Sequence, residues 1–285
     1  MTTRIYEVAD GGLDYPRESL LPVDAAPELT AQYAPVIAVP YRPVLINADG
    51  AVILLDTGAG PLGPATGKLQ ASLRGIGVAA EEVDVVVLSH AHADHIGGLL
   101  DEAGRPAFPN ARLVIGRKEY DFWRRSGIHE RLGSGSVYGN PVIESVIGQW
   151  FEKYLVRLED QLDFIEGETE LLPGITVVPA AGHTPGQMAV LIKTSDEPLL
   201  YTADAFSLAE HVANPEWISS FDLDPHQTVE TRRTLLDRAA TDNYRVIHYH
   251  VGGIGRVVRR GIGYAWEPEQ VPQTAAREPV QVASR

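Results

Sequence analysis

No cysteine occurs in the 285-residue chain. That absence excludes disulfides, cysteine-ligated zinc, iron–sulfur clusters and thiol nucleophiles together. Any metal must therefore rest on histidine and carboxylate. Positive charge is also scarce: 24 Lys and Arg stand against 38 Asp and Glu, a formal net charge of -14. Such a balance disfavours nucleic acid as a partner and ordinarily means a solvated acidic surface. Only a cluster of metal ions could reverse the sign inside a cleft. No apolar run approaches the ~20 residues that span a bilayer. The start, MTTRIYEVADGG, lacks a basic segment followed by an apolar one, so no signal peptide is expected. The expectation is a soluble cytoplasmic protein acting on a small molecule, with neither nucleic acid nor membrane as partner; a homodimer remains open.

What is present is ordinary globular material, with 44% hydrophobic and 22% charged residues. Residues 1–40, rich in Pro, Asp and Ala, read as an N-terminal extended arm with one or two short strands. From Val44 the pattern becomes strands with glycine breaks, and VLINADGAVILLDTGAG predicts a hairpin turning at Asp49-Gly50. A helix is expected around Lys68 to Ile76, a buried strand over Val83 to Ser89, and a short strand over Arg112 to Ile115. Further strands are expected at Ile175 to Pro179, Met188 to Lys193, Pro198 to Thr202 and Arg245 to His250, with a helix over Pro225 to Ala240. Strands interleaved with helices in both halves indicate an α/β layered architecture. The catalytic domain is expected over 41–266, followed by a poorly ordered tail at 267–285. Segment 118–162, with Tyr120, Phe122, Trp123, Trp150, Phe151 and Tyr154 at helical spacings, reads as core or as a helical cap. In the second reading Phe122 and Trp123 line the substrate pocket, because an insertion between metal motifs falls on the active-site rim.

The chemistry concentrates in His90-Ala91-His92-Ala93-Asp94-His95, directly after a buried strand. A lone histidine is most often structural, but three with an aspartate in six positions are more than structure requires. In an extended segment His90 and His92 project to one side, so two nitrogens can reach one ion. A tight turn afterwards lets Asp94 and His95 reach a second. One loop cannot complete two coordination shells. His183 in a glycine-flanked turn, Asp204 at a strand end, and His248 and His250 near the C-terminus are the candidates for the remainder. Alone, each is weak; an aspartate at a strand end is more often a turn or cap.

Leu55-Asp56-Thr57-Gly58, the HxHxDH segment, His183, Asp204 and the terminal histidine, in this order, resemble the five motifs of the metallo-β-lactamase superfamily. The resemblance spans about Val44 to His250 and implies an αββα four-layer sandwich. It also implies two Zn2+ ions, with Mn, Co or Fe as substitutes. By the family pattern, His90, His92 and His183 would bind one, and Asp94, His95 and the last histidine the other. Asp204 would bridge them, and Asp56 would orient a ligand histidine. For the last ligand, the strand before favours His250 and the Gly-Ile-Gly after favours His248; the ungapped match of the preceding helix and strand makes His250 the preferred choice. Imidazole where a di-iron relative carries glutamate argues for zinc.

Within the superfamily, Asn214-Pro215-Glu216-Trp217, Phe221-Asp222-Leu223-Asp224-Pro225, Thr231-Arg232-Arg233 and Leu235-Leu236-Asp237-Arg238 resemble the N-acyl-homoserine lactonase and methyl parathion hydrolase-like group. Two departures stand out. Ser207 occupies the place of a tyrosine in related lactonases, and a glycine-rich loop follows the last histidine. The resemblance implies hydrolysis by a hydroxide bridging two ions, with Asp94 and Asp204 as catalytic carboxylates and Asp204 handling the proton. Quorum-signal lactones are the expected substrates. An organophosphate or aryl-ester hydrolase is the alternative, and a non-catalytic metal-binding or redox protein is a more distant one.

Overall fold

The computed structural model describes residues 3–21, 32–125, 141–194 and 197–269, with side chains of 141–146 excepted. Two mixed sheets carry the fold. The first is ordered β1(Thr3–Glu7), β4(Val44–Ala48), β5(Ala51–Leu55), β6(Val85–Leu88), β7(Arg112–Gly116), β8(Leu162–Ile165). The second is ordered β15(Gly263–Pro268), β14(Ile254–Arg260), β13(Arg245–Ile247), β12(Leu199–Tyr201), β11(Met188–Ile192), β10(Ile175–Pro179), β9(Thr169–Leu172). β2(Gly11–Pro16) and β3(Val36–Tyr41) form a separate antiparallel ribbon.

Alternating side chains assemble the layers. On β4 and β5, Val44, Ile46, Ile53 and Leu55 face the second sheet, while Leu45 and Leu54 face outward. Val177, Val190, Ile192, Leu199 and Tyr201 meet them from the second sheet. The outward face of the first sheet is covered by α2(Leu69–Gly75), α4(Arg117–Trp123) and α5(Pro141–Tyr154), following the short α1(Arg17–Leu20) and α3(Ala93–Ile96). That of the second is covered by α7(Pro225–Thr241), preceded by α6(Glu210–Ala213). The period-2 projection of a strand thus produces helix–sheet–sheet–helix, the four layers expected.

The expected elements are present, most with ends one to three residues shorter, while β7 and α7 run one residue longer. The β4–β5 hairpin turns at Asp49 and Gly50, both at positive φ (49° and 90°), which suits a tight hairpin turn. The strand expected to reach His250, β13, ends at Ile247. Tyr249 and His250 are bound instead outside the sheet, the Tyr249 hydroxyl donating to the Asp94 carbonyl and His250 Nδ1 pairing with the Pro40 carbonyl. Within 1–40, β1 is the edge strand of the first sheet. β15 runs on to Pro268; residues 270–285 of the expected tail, and 126–140 of the expected cap, lie outside the described residues. Among the described residues, no helix is long and apolar enough to cross a membrane.

The pairs β5–β6, β6–β7 and β12–β13 are parallel. Their C-terminal ends lead directly into Asp56, His90, Asp204 and His250, as ligand sites in open α/β sheets commonly do.

Candidate metal centre

The HxHxDH segment leaves β6 extended and turns into α3 at His92. His90 Nε2 lies 3.0 Å from His92 Nδ1, and His183 Nε2 lies 3.1 Å from the same atom. His183 arrives on the turn after β10, where Gly182 has φ of 139° and a side chain would strike the Thr228 backbone at 2.5 Å. Glycine is required there. Asp94, His95 and His250 form a second group: His250 Nε2 is 3.5 Å and His95 Nε2 3.8 Å from Asp94 Oδ2. Asp204 stands between the groups. Its Oδ2 is 3.0 Å from His250 Nε2 and 3.5 Å from His183 Nε2, and its Oδ1 is 3.3 Å from His95 Nε2. The preceding Ala203 is held at φ 47°, an unfavourable conformation for a non-glycine residue and one that concentrates at functional sites.

The His95 and His183 rings are oriented from behind by carboxylates. Asp56, itself at φ 61°, accepts from His95 Nδ1 at 2.9 Å, from the Ser89 amide and hydroxyl at 2.7 Å each, and from the Tyr201 hydroxyl at 2.5 Å. Asp222 pairs with His183 Nδ1 at 2.9 Å and with the fully buried Arg232 at 3.2 Å. Burial opposes ionisation of Asp222, but the guanidinium and the imidazole prevail and hold its carboxyl down at about 2. Buried Glu119 accepts from the Ala91 amide (2.9 Å), the Trp123 indole (2.6 Å), the Thr184 hydroxyl (2.7 Å) and the Gly186 amide (2.9 Å). It thereby ties the loop carrying His90 and His92 to the loop carrying His183.

The cluster fits divalent ions. His95 Nε2 and Asp204 Oδ1 are buried without a hydrogen-bond partner among the described residues, 3.3 Å apart. Buried polar atoms left so are costly unless something binds them. Burial, reinforced by neighbouring histidines, keeps His90 and His92 well below the ordinary histidine value, so their nitrogens offer lone pairs. All donors are imidazole or carboxylate, a set suited to zinc.

Of the residues expected in the site, His90, His92, Asp94, His95, His183, Asp204 and His250 converge, with Asp56 behind His95. His248 points elsewhere: its Nδ1 pairs with the Thr202 hydroxyl at 2.7 Å, and its ring lies between Phe206 and Trp266. Phe122 and Trp123 do not line the adjoining cavity, contrary to expectation. The face of α4 bearing Glu119, Tyr120 and Trp123 is buried, so Trp123 packs edge-on against His92 at 5.5 Å, while Phe122 opens towards a different hollow beside Pro185. The cavity over the cluster measures about 250 Å³, and Tyr15, Leu20, Val39, Leu62, Ile147, Trp150, Ser207 and Phe221 form its wall. Tyr15 and Glu119 carried no sequence signal. Asp222 lay inside a recognised motif, without an assigned role.

Residues 40–261 match the metallo-beta-lactamase superfamily. The chain belongs to that superfamily. Among curated members, an N-acyl homoserine lactonase of a Bacillus species is 29% identical over 154 residues, covering 53% of this chain and 49% of that protein. The N-acyl homoserine lactonase AttM of Azorhizobium caulinodans is 29% identical over 177 residues, covering 59% of each. The chain thus matches about half of the length of these superfamily relatives. AidC, a dizinc quorum-quenching lactonase solved in complex with a product, superposes with a TM-score of 0.84 at 25% identity over 95% of both chains. The hydrolase AbOPH shares the fold, with a TM-score of 0.85 at 22% identity over 95% of both chains.

Proposed function

We propose that the chain is a metal-dependent hydrolase that opens lactones of the N-acyl-homoserine type. One observation carries this reading: seven histidine and aspartate side chains converge on two adjacent groups that share Asp204, at the floor of a cavity with an apolar wall. The likeness to AidC along nearly the whole chain supports the choice of lactones. His90, His92 and His183 would hold one ion and Asp94, His95 and His250 the other, with Asp204 shared. Bound there, two divalent ions polarise a substrate carbonyl and bring the pKa of water towards ~7.

The chain's own groups do the rest. Asp56 and Asp222 fix the His95 and His183 rings and Glu119 ties their loops together, so little reorganisation accompanies reaction. Asp204 and Asp94 supply negative charge beside the reacting centre and can accept a proton from the attacking water. Leu20, Val39, Ile147, Trp150 and Phe221 exclude water and offer an acyl chain its apolar surface. A soluble cytoplasmic enzyme acting on a small neutral substrate is the setting of this reading.

The test is a panel of acyl-homoserine lactones of rising chain length, phosphotriesters and thioesters on zinc-loaded protein. Lactones should give the highest kcat/KM, and Trp150→Ala should raise KM for long chains ~10- to 100-fold while leaving short chains nearly unchanged. Preference for phosphotriesters would replace the reading with the organophosphate one.

A further inference from the structure

The wall of the cavity over the metal cluster includes a phenol supplied from the N-terminal ribbon. Tyr15 lies on β2, half-buried, with its ring edge-on to Phe221 at 5.6 Å. Its hydroxyl is 2.7 Å from that of Tyr41, which is completely buried. The Tyr41 ring stacks on Tyr249 at 6.3 Å and meets His250 edge-on at 5.6 Å, which anchors the pair to the cluster.

The direction of that hydrogen bond follows from burial. Were Tyr15 to donate, the proton of Tyr41 would be left in the core, where it has no other partner among the described residues. Were Tyr41 to donate, its proton is satisfied, and the proton of Tyr15 is free to turn into the cavity. A buried donor without an acceptor costs ~1–3 kcal/mol, so the second arrangement prevails. The Tyr15 phenol is also kept protonated, since burial first and the Asp94 carboxylate second hold its ionisation far above the ordinary value. A neutral O–H donor therefore faces the cavity on the side of Asp94 and His250.

We propose that Tyr15 donates a hydrogen bond to the ring oxygen of the lactone as that oxygen leaves, with Tyr41 holding the phenol in place. The inference rests on the hydrolase reading above. In the reaction, water oxygen bonds to the carbonyl carbon, the ring C–O bond breaks, and its electron pair goes to the ring oxygen. One proton of that water ends on this oxygen and the other is released as the carboxylate forms. Tyr15 keeps its own proton and stabilises the oxygen while it carries charge.

The experiment compares Tyr15→Phe and Tyr41→Phe on substrate pairs sharing an acyl or phosphoryl group: an alkoxide leaving group against a nitrophenoxide, which needs little stabilisation. Tyr15→Phe should lower kcat on lactones ~100-fold, as loss of one donor to a developing oxyanion does. The loss on nitrophenyl esters should be under about threefold, and KM and zinc content should hold. Tyr41→Phe should show the same pattern, weaker. Calorimetry should show the ring-opened hydroxy acid binding Tyr15→Phe several-fold more weakly than wild type. Equal losses on both leaving groups, or none, overturn the role. If the wild type ignores lactones and cleaves phosphotriesters, the lactonase reading fails, and Tyr15 is judged on the alkyl and nitrophenyl phosphotriester pair.

Discussion

The two halves of the metal centre are built by different means. On the first sheet, His90, His92, Asp94 and His95 come from one loop after β6, and their arrangement follows from an extended segment turning into α3. On the second, His183, Asp204 and His250 come from three loops after β10, β12 and β13, and meet only because those strands share a sheet. Their supports differ likewise. Besides His95 itself, Asp56 is satisfied by the amide and hydroxyl of Ser89 and by Tyr201 reaching across from the second sheet. Asp222 behind His183 faces a buried guanidinium, which also donates to the carbonyls of Ala205 and Trp217. A locally built cluster can be held by hydrogen bonds alone. The dispersed one relies on a buried ion pair that fastens α7 to the loops around it.

The sharpest test of that contrast is Asp204, the residue on which both halves converge. Asp204→Ala should cost at least one of about two bound zinc ions and far more activity than the ~100-fold typical of an outer partner. His250→Ala should behave similarly, and His248→Ala should retain most activity and both ions. Metal analysis beside kinetics decides; an unchanged zinc count in Asp204→Ala would remove its shared role.

A smaller effect separates the two supports. Asp56→Asn and Asp222→Asn should each lower zinc affinity or activity ~10- to 100-fold. Only Asp222→Asn leaves an unpaired buried charge, so its zinc-free protein should lose ~3–5 kcal/mol in denaturant unfolding. Asp56→Asn should lose ~1–3 kcal/mol. Equal stability losses would show that the two supports do not differ in kind.

The least effect is expected at His211, fully buried near Asp222 and Arg232. Burial, then the Arg232 charge, keeps this histidine well below its ordinary value. The folded state therefore binds fewer protons than the unfolded one, and stability falls as pH drops below about 6.5 towards the lowered value. The slope from this group approaches ~1.4 kcal/mol per pH unit. Melting temperatures of zinc-loaded His211→Gln between pH 7 and 5 should fall less steeply than those of the wild type. Parallel curves would show that His211 does not titrate in this window.

Much of this protein is local and could be read from its residues. The β4–β5 hairpin is written in Asp49-Gly50, whose backbone preference suits the turn. The layers are written in strands that alternate one apolar face with another, and the candidate ligands in a run of histidines that no core or surface needs. Those features depend on neighbours a few positions apart. What tertiary structure decided depends on contacts between distant segments. Whether His248 or His250 joins the cluster turned on where β13 ends and on the Pro40 carbonyl that takes His250 out of the sheet. Trp123 became core because Glu119, on the same buried face of α4, bridges two loops and takes its indole proton. The pocket wall was assigned to Trp150 and to Tyr15, which lies far upstream of every metal motif. A side chain's spacing specifies which way it can point; only the packed chain determines what it meets there.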